Sequence, residues 1–222
     1  EYDDVANKQR EIIYGRRLEI LKAAKDREMA IKMKEDIKNK INVEVENLIM
    51  ASAGEGITTE ELGKIIKEFT TIIPFDETSQ NKLKDDASKI ANPEKLVDFF
   101  KNIVGDIYQS REKQFGENVA RDIEKFASLS VTDTLWIQHL DSLDDLREGI
   151  GLRAAGQRDP LVEYKQEAFN LFDKLVATVD YEIVHRIFKI QVRQEPAIEK
   201  VEEQGVEVHE QPVLEAEPSQ LP

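Results

Sequence analysis

An all-α fold is the expectation from this sequence, and three observations carry it. Apolar residues recur at three- and four-residue steps from the first turn to about residue 190, the period of a helix with one buried face. Helix breakers are scarce: the 222 residues include 10 glycines and 7 prolines, and four of those prolines (Pro196, Pro212, Pro218, Pro222) crowd the C-terminal end. Charged residues make up 34% of the chain, above the globular norm and suited to long, solvated helices. The expected architecture is a long helix with an inserted small helical subdomain and a helical hairpin, followed by a disordered acidic tail.

Residues 1–44 form the first element. They hold no proline and one glycine, Gly15, and place Val5, Ile12, Ile13, Ile20, Leu21, Met29, Met33, Ile37 and Ile41 at helical steps. About 40 helical residues would span roughly 60 Å, too long for a compact small domain. The element is therefore expected to act as a strut or to break near residue 40. Lys22, Lys25, Asp26, Arg27 and Glu28 mark a solvated face, and Asp3 and Asp4 suit the positive end of a helix dipole.

Residues 45–110 are read as the inserted subdomain. The run Ala51-Ser52-Ala53-Gly54-Glu55-Gly56 makes a connector. Thr58 and Glu61 have the spacing of a capping box, which opens a short helix to about Thr70, with Pro74 ending that region. A weak helix is expected over Ser79–Ala91. Asn92 and Pro93 then supply an N-cap and a proline at the first helical position. The helix they start carries Leu96, Val97, Phe99, Phe100, Ile103 and Val104, and is expected to run past Gly105 into Tyr108.

Residues 111–192 lead back and build the hairpin. A charged helix is expected from Ile107 to about Phe126. Leu135, Trp136, Leu140, Leu143, Leu146 and Ile150 make one apolar stripe. Tyr164, Ala168, Phe172, Leu175 and Val179 make another, continued by Ile183, Ile187 and Ile190. Asp159 and Pro160 are the start signal of the second helix. Trp136, Phe169 and Phe172, at helical spacing, are read as core. Residues 193–222 hold eight glutamates against Arg193 and Lys200, with sparse apolar residues in no period, and are read as a disordered acidic tail. The chain shows no internal repeat.

Composition narrows the function. A net charge of −14 opposes general binding to nucleic acid or anionic lipid, since phosphate neutralisation drives both. The absence of cysteine removes disulfides and thiolate metal sites. No apolar run approaches the roughly 20 residues of a membrane span, and no signal-peptide pattern opens the chain. Its first residue, Glu1, already sits in a helical pattern, which reads as a segment of a longer protein.

No catalytic constellation is expected. Neither a Walker-type phosphate loop nor a dinucleotide fingerprint is present. His139, His185 and His209 lie far apart. His139, near Asp141, has the chemistry for acid–base work, but a packed, hydrogen-bonded structural histidine is the stronger reading. The pairs Asp3-Asp4 and Asp144-Asp145 are read as solvated, because adjacent helix residues do not face one point. No metal-ligand spacing occurs. The loop between the stripes carries Gly149, Gly151 and Gly156 with Arg153 and Arg158. It fits either a tight turn with solvated arginines or a tip whose guanidinium groups meet carbonyls and carboxylates of an extended polypeptide.

The exact residues of this hairpin resemble a known family. Leu135-Trp136-Ile137-Gln138-His139-Leu140 has the form L-W-x-x-H-L, and Leu146-Arg147-Glu148-Gly149-Ile150 the form L-R-x-G-I. Leu152 to Pro160 then parallels L-R-G-Y-A-Q-K-D-P, and Glu163-Tyr164-Lys165 follows. With the opening EYDDVANKQR, this pattern resembles the C-terminal part of the SecA family, the motor ATPases of bacterial protein export. The resemblance spans both ends of the folded region. It matches residues 45–110, where the family has its helical wing, in position and helical character only.

The resemblance implies a helical scaffold (1–44 and 111–192), a wing (45–110) and a two-helix finger. It implies that Leu152, Arg153, Ala154, Ala155, Gly156, Gln157 and Arg158 form a tip contacting the SecY (SecYEG) channel and an unfolded preprotein. Tyr2, Asp3, Asp4, Asn7 and Arg10 would seat the scaffold against motor domains of the same chain. ATP and magnesium would belong to those motor domains, so this segment holds no cofactor and is not expected to hydrolyse ATP alone. The implied location is cytoplasmic, peripheral at the inner face of the plasma membrane; a homodimer is compatible and no nucleic-acid partner is implied. Ala155 stands where many members carry a tip tyrosine, which shifts the expected contact to Arg153 and Gln157. The cysteine-rich zinc tail of many members has no counterpart, so neither zinc nor SecB binding by that route is expected. A different class of reading remains beside this one: a stand-alone helical adaptor that binds partner helices through its apolar stripes.

Overall fold

The structure, a computed structural model, describes residues 2–53, 56–153 and 159–191, with backbone only at 151–153. The described residues form seven helices and no strand: α1 (Tyr2–Ala23), α2 (Arg27–Ser52), α3 (Thr59–Ile72), α4 (Glu77–Ala87), α5 (Pro93–Phe115), α6 (Glu117–Arg153) and α7 (Pro160–Ile187). The all-α expectation is met. The acidic tail from residue 193 lies outside the described residues.

The first long element is not an unbroken strut, and its break lies at residues 24–26 rather than near 40. The amides of Lys25 and Asp26 both bond the Lys22 carbonyl, at 2.9 and 3.0 Å, closing α1 in a tight turn. The Asp26 carboxylate then accepts from the amides of Glu28 (2.8 Å) and Met29 (3.2 Å), an N-cap that starts α2. The redirected α2 buries Ile37, Ile41, Val45 and Ile49, a stripe at four-residue steps.

Local signals set most of the following boundaries. At Thr58 and Glu61 both halves of the capping box form, at 2.7 and 3.2 Å. Asn92 caps α5 through the Lys95 amide (2.9 Å), with Pro93 at its first position. The weak helix is Glu77–Ala87 rather than Ser79–Ala91, because Asp76 takes the cap and bonds the Ser79 amide at 2.9 Å. The helix expected over 107–126 is two helices. α5 continues through Gly105 to Phe115, and Gly116, at φ 84°, ends it before α6 begins.

The main core joins α2, α3 and α5 to the lower halves of α6 and α7. Phe69 of α3 and Phe100 of α5 meet edge to face with centroids 4.6 Å apart, beside Ile41, Val45 and Ile183. Surface bonds tie the same helices: Lys101 to Glu46 at 2.7 Å, and Lys40 to Asp180 at 3.6 Å. α6 and α7 pair antiparallel, and α1 lies against both. A second, smaller cluster of Leu143, Leu146, Ile150, Tyr164 and Ala168 fills the hairpin toward residues 150 and 160, covered by Tyr2, Val5 and Ala6 of α1.

Candidate functional site

The hairpin and the helix laid along it are the candidate site. Asp159 caps α7 through the Leu161 amide (2.9 Å), with Pro160 at its first position, as the Asp-Pro pair predicts. The tip residues Ala154, Ala155, Gly156, Gln157 and Arg158 lie outside the described residues, and so do the side chains of Leu152 and Arg153, which end α6.

The first turns of α1 face the hairpin. The Tyr2 ring meets Tyr164 edge to face at 4.7 Å, and the Arg147 guanidinium lies 5.7 Å from the Tyr2 centroid. Arg147 also pairs with Asp3 at 3.3 Å. Burial beneath this edge raises the Tyr164 pKa. Asn7 and Arg10 bond each other at 2.7 Å, and Asp4 is exposed. Of the five residues expected to form one contact with motor domains, Tyr2 and Asp3 thus engage the hairpin, while Asn7 and Arg10 pair along α1.

One turn further, α1 meets both hairpin helices through a single buried amide. Gln9 donates from Nε2 to the Ala168 carbonyl on α7 at 3.0 Å. Its Oε1 lies 2.8 Å from His139 Nε2 on α6. With its amide nitrogen committed to a carbonyl, Gln9 offers the ring an acceptor, so Nε2 of His139 carries the proton. Gln9 and His139 are 6% and 5% exposed, which explains why each polar group must be matched. The ring lies between Trp136 (5.5 Å) and Phe172 (5.9 Å), and burial lowers its pKa below the ordinary imidazole value. His139 is thus a packed, hydrogen-bonded histidine.

Sequence reasoning missed Gln9. The signal was there: Tyr2, Val5, Ala6 and Ile13 define a helical face, and Gln9 stands on it as the polar exception. Trp136 and Phe172 are core as expected, but Phe169 is 58% exposed. It sits off the buried stripe Tyr164–Ala168–Phe172–Leu175. Asp144 and Asp145 are exposed, as expected.

A second polar cluster ties the base of α6 to α5 and α2. Arg121 pairs with Glu124 (2.5 Å) and with Glu112, and Glu112 also holds Lys34 at 2.6 Å. Tyr108 donates to Glu124. Burial raises the Glu124 pKa against the opposing pull of Tyr108 and Arg121, whereas the bond from Lys34 lowers that of Glu112. Arg111 donates to the carbonyls of Ile187 (3.3 Å) and Ile190 (3.0 Å), closing the C-terminal end of α7.

Between α1, α2 and α7 lies an open groove of about 710 Å³. Its walls include Met33, Ile37 and Val184, and Lys40 bridges Asp36 and Asp180 across it. Among the described residues, no three His, Cys, Asp or Glu side chains converge as a metal site, and no helix is long and apolar enough to cross a membrane.

Comparison with known proteins agrees with the hairpin and its supporting helix. The model of the SecA wing and scaffold domain matches residues 1–191. The chain is 34% identical over 217 residues to the protein translocase subunit SecA of Syntrophomonas wolfei, covering 96% of this chain and 25% of that protein. It is 35% identical over 196 residues to that of Desulforudis audaxviator, covering 86% and 21%. With that of Streptomyces griseus it is 33% identical over 220 residues, covering 98% and 22%. The chain therefore spans a quarter or less of these relatives' length. The match runs through every described helix, from the Tyr2 turn to the end of α7, and the chain belongs to the SecA wing and scaffold family.

Proposed function

We propose that this chain is the scaffold, wing and finger portion of a protein translocase motor. It couples ATP hydrolysis by motor domains, which carry ATP and magnesium, to movement of unfolded preproteins through the SecY channel. In this reading, 1–44 and 111–192 are scaffold with finger, and 45–110 are wing. Residues Leu152–Arg158 meet channel and preprotein, while the solvent-facing side of the Tyr2–Arg10 turns, with Asp4, Asn7 and Arg10, seats the motor. The working location is the cytoplasmic face of the plasma membrane, held peripherally.

The observation that carries the reading is the family match over 1–191 together with α1 laid along a hairpin of 37- and 28-residue helices. Such paired helices at 1.5 Å rise per residue form a stiff lever. A lever of this kind transmits displacement between its base and its tip. The groove and the polar clusters serve packing in this scheme and require no chemistry of their own.

The test is replacement of Arg153 and Arg158 by glutamate in the complete protein, with preprotein transport into membrane vesicles as the readout. Transport is expected to fall at least tenfold while the protein stays folded by circular dichroism. Unchanged transport overturns the assignment of the tip. A complete protein that transports nothing in any form, yet binds helical partners, would favour the adaptor reading.

A further inference from the structure

We infer that the Gln9–His139–Ala168 layer is a hinge that divides the three-helix seam into two units of unequal stability. The unit beyond it, toward residues 150 and 160, opens by itself while the main core stays closed. The argument begins with the partition of the apolar contacts. Along the seam of α1, α6 and α7, Ile13, Trp136, Phe172 and Leu175 belong to the main core. Leu143, Leu146, Ile150, Tyr164 and Ala168, with Tyr2, Val5 and Ala6, belong to a separate cluster. At the boundary the buried side chains are an amide and an imidazole, joined at 2.8 Å.

Such a layer has two effects. It fixes register, because one amide must serve α6 and α7 at once and any slip of α1 leaves a buried polar group unmatched. It also interrupts apolar continuity, so little hydrophobic free energy couples the two sides. The distal side is the small one. Its ties to α1 include the apolar contacts of Val5 and Ala6, an exposed ion pair, Arg147–Asp3 at 3.3 Å, and the Tyr2 ring between Arg147 and Tyr164. Exposed pairs contribute little. Opening beyond the layer therefore costs the small cluster and one polar layer, while unfolding of the whole costs the continuous core from Ile13 to Phe188. Local openings of this kind are drawn from the weakly packed end of a structure.

The test is native-state hydrogen exchange of the intact protein in low denaturant. Amides of residues 143–150 and 164–168 are expected to exchange at least tenfold faster than those of 127–136 and 172–184, with a weaker denaturant dependence. Gln9→Ala is expected to speed exchange in the distal set at least tenfold and leave the proximal set within threefold. A second variant pair, Gln9→Leu with His139→Leu, makes the layer apolar and is expected to slow distal exchange toward proximal values. Exchange of both sets in one step with a common denaturant dependence would overturn the inference. Equal changes in both sets on altering Gln9 would overturn it as well.

Discussion

The phenol of Tyr108 on α5 donates to the carboxylate of Glu124 on α6, and both groups lie beneath the surface, 6% and 2% exposed. The bond spans the elbow at Gly116 and fixes how α6 leaves α5. Removing the hydroxyl deprives a buried carboxylate of one of its donors. Tyr108→Phe is therefore expected to cost about 1–3 kcal/mol. Urea unfolding followed by the fluorescence of Trp136, the sole tryptophan, checks this as a lower midpoint with an unchanged slope.

Arg121 matters more than Tyr108 for the same carboxylate. It is the cation shared by Glu124 and Glu112, and Lys34 pairs with Glu112 from α2. Arg121→Met fills similar volume but removes the cation paired directly with the buried Glu124 carboxylate. Breaking a buried pair from one side costs about 3–5 kcal/mol, a large share of the stability of a typical domain. The double variant Arg121→Met with Glu124→Met, which removes both charges, is expected to recover most of that loss in the same unfolding experiment.

Acid should weaken the layer at His139. Burial holds its folded pKa below the ordinary value of 6.5, and its neighbours Gln9, Trp136 and Phe172 are uncharged. The unfolded chain therefore takes up the proton first as pH falls. The stabilising contribution of the neutral ring is complete above 6.5 and is lost as pH falls from 6.5 through the lower folded pKa. Stability compared between pH 7.5 and 5.5 is expected to fall more in the wild type than in His139→Gln. Equal slopes in the two proteins would refute the assignment.

The parts of this fold that were legible in the sequence are local. Thr58 with Glu61, Asn92 with Pro93, and Asp159 with Pro160 each place donor, acceptor or fixed φ within four residues, and each starts a helix where expected. The break at Asp26 was not legible, because Lys25, Asp26, Arg27 and Glu28 also read as a solvated helix face; the need of α2 to bury Ile37, Ile41 and Val45 decides it. Gln9 and His139 stand 130 residues apart, and no local pattern joins them. The same holds for Tyr2 on Tyr164. Phe169 was misread because its spacing was judged from Phe172 alone; Phe172 lies at the edge of the buried stripe set by Tyr164, Ala168 and Leu175, and Phe169 falls one step further out on the same side.

Two glycines, one inside α5 and one at the α5–α6 elbow, should respond to alanine in opposite directions. Gly116 has φ 84° and ψ 156°, a region that glycine enters freely and side chains do not, although no atom lies within 4 Å of a Cβ placed there. The cost of Gly116→Ala is thus backbone strain at the helix end rather than collision, about 1–3 kcal/mol. Gly105 sits inside α5, exposed, with helical backbone and open space around a Cβ. Gly105→Ala removes freedom from the unfolded chain alone and is expected to stabilise by about 0.5–1 kcal/mol. Thermal unfolding of the two variants side by side checks the pair. If both lower the midpoint, the interior of α5 is not regular at Gly105; if neither does, Gly116 does not hold the positive φ that turns α5 into α6.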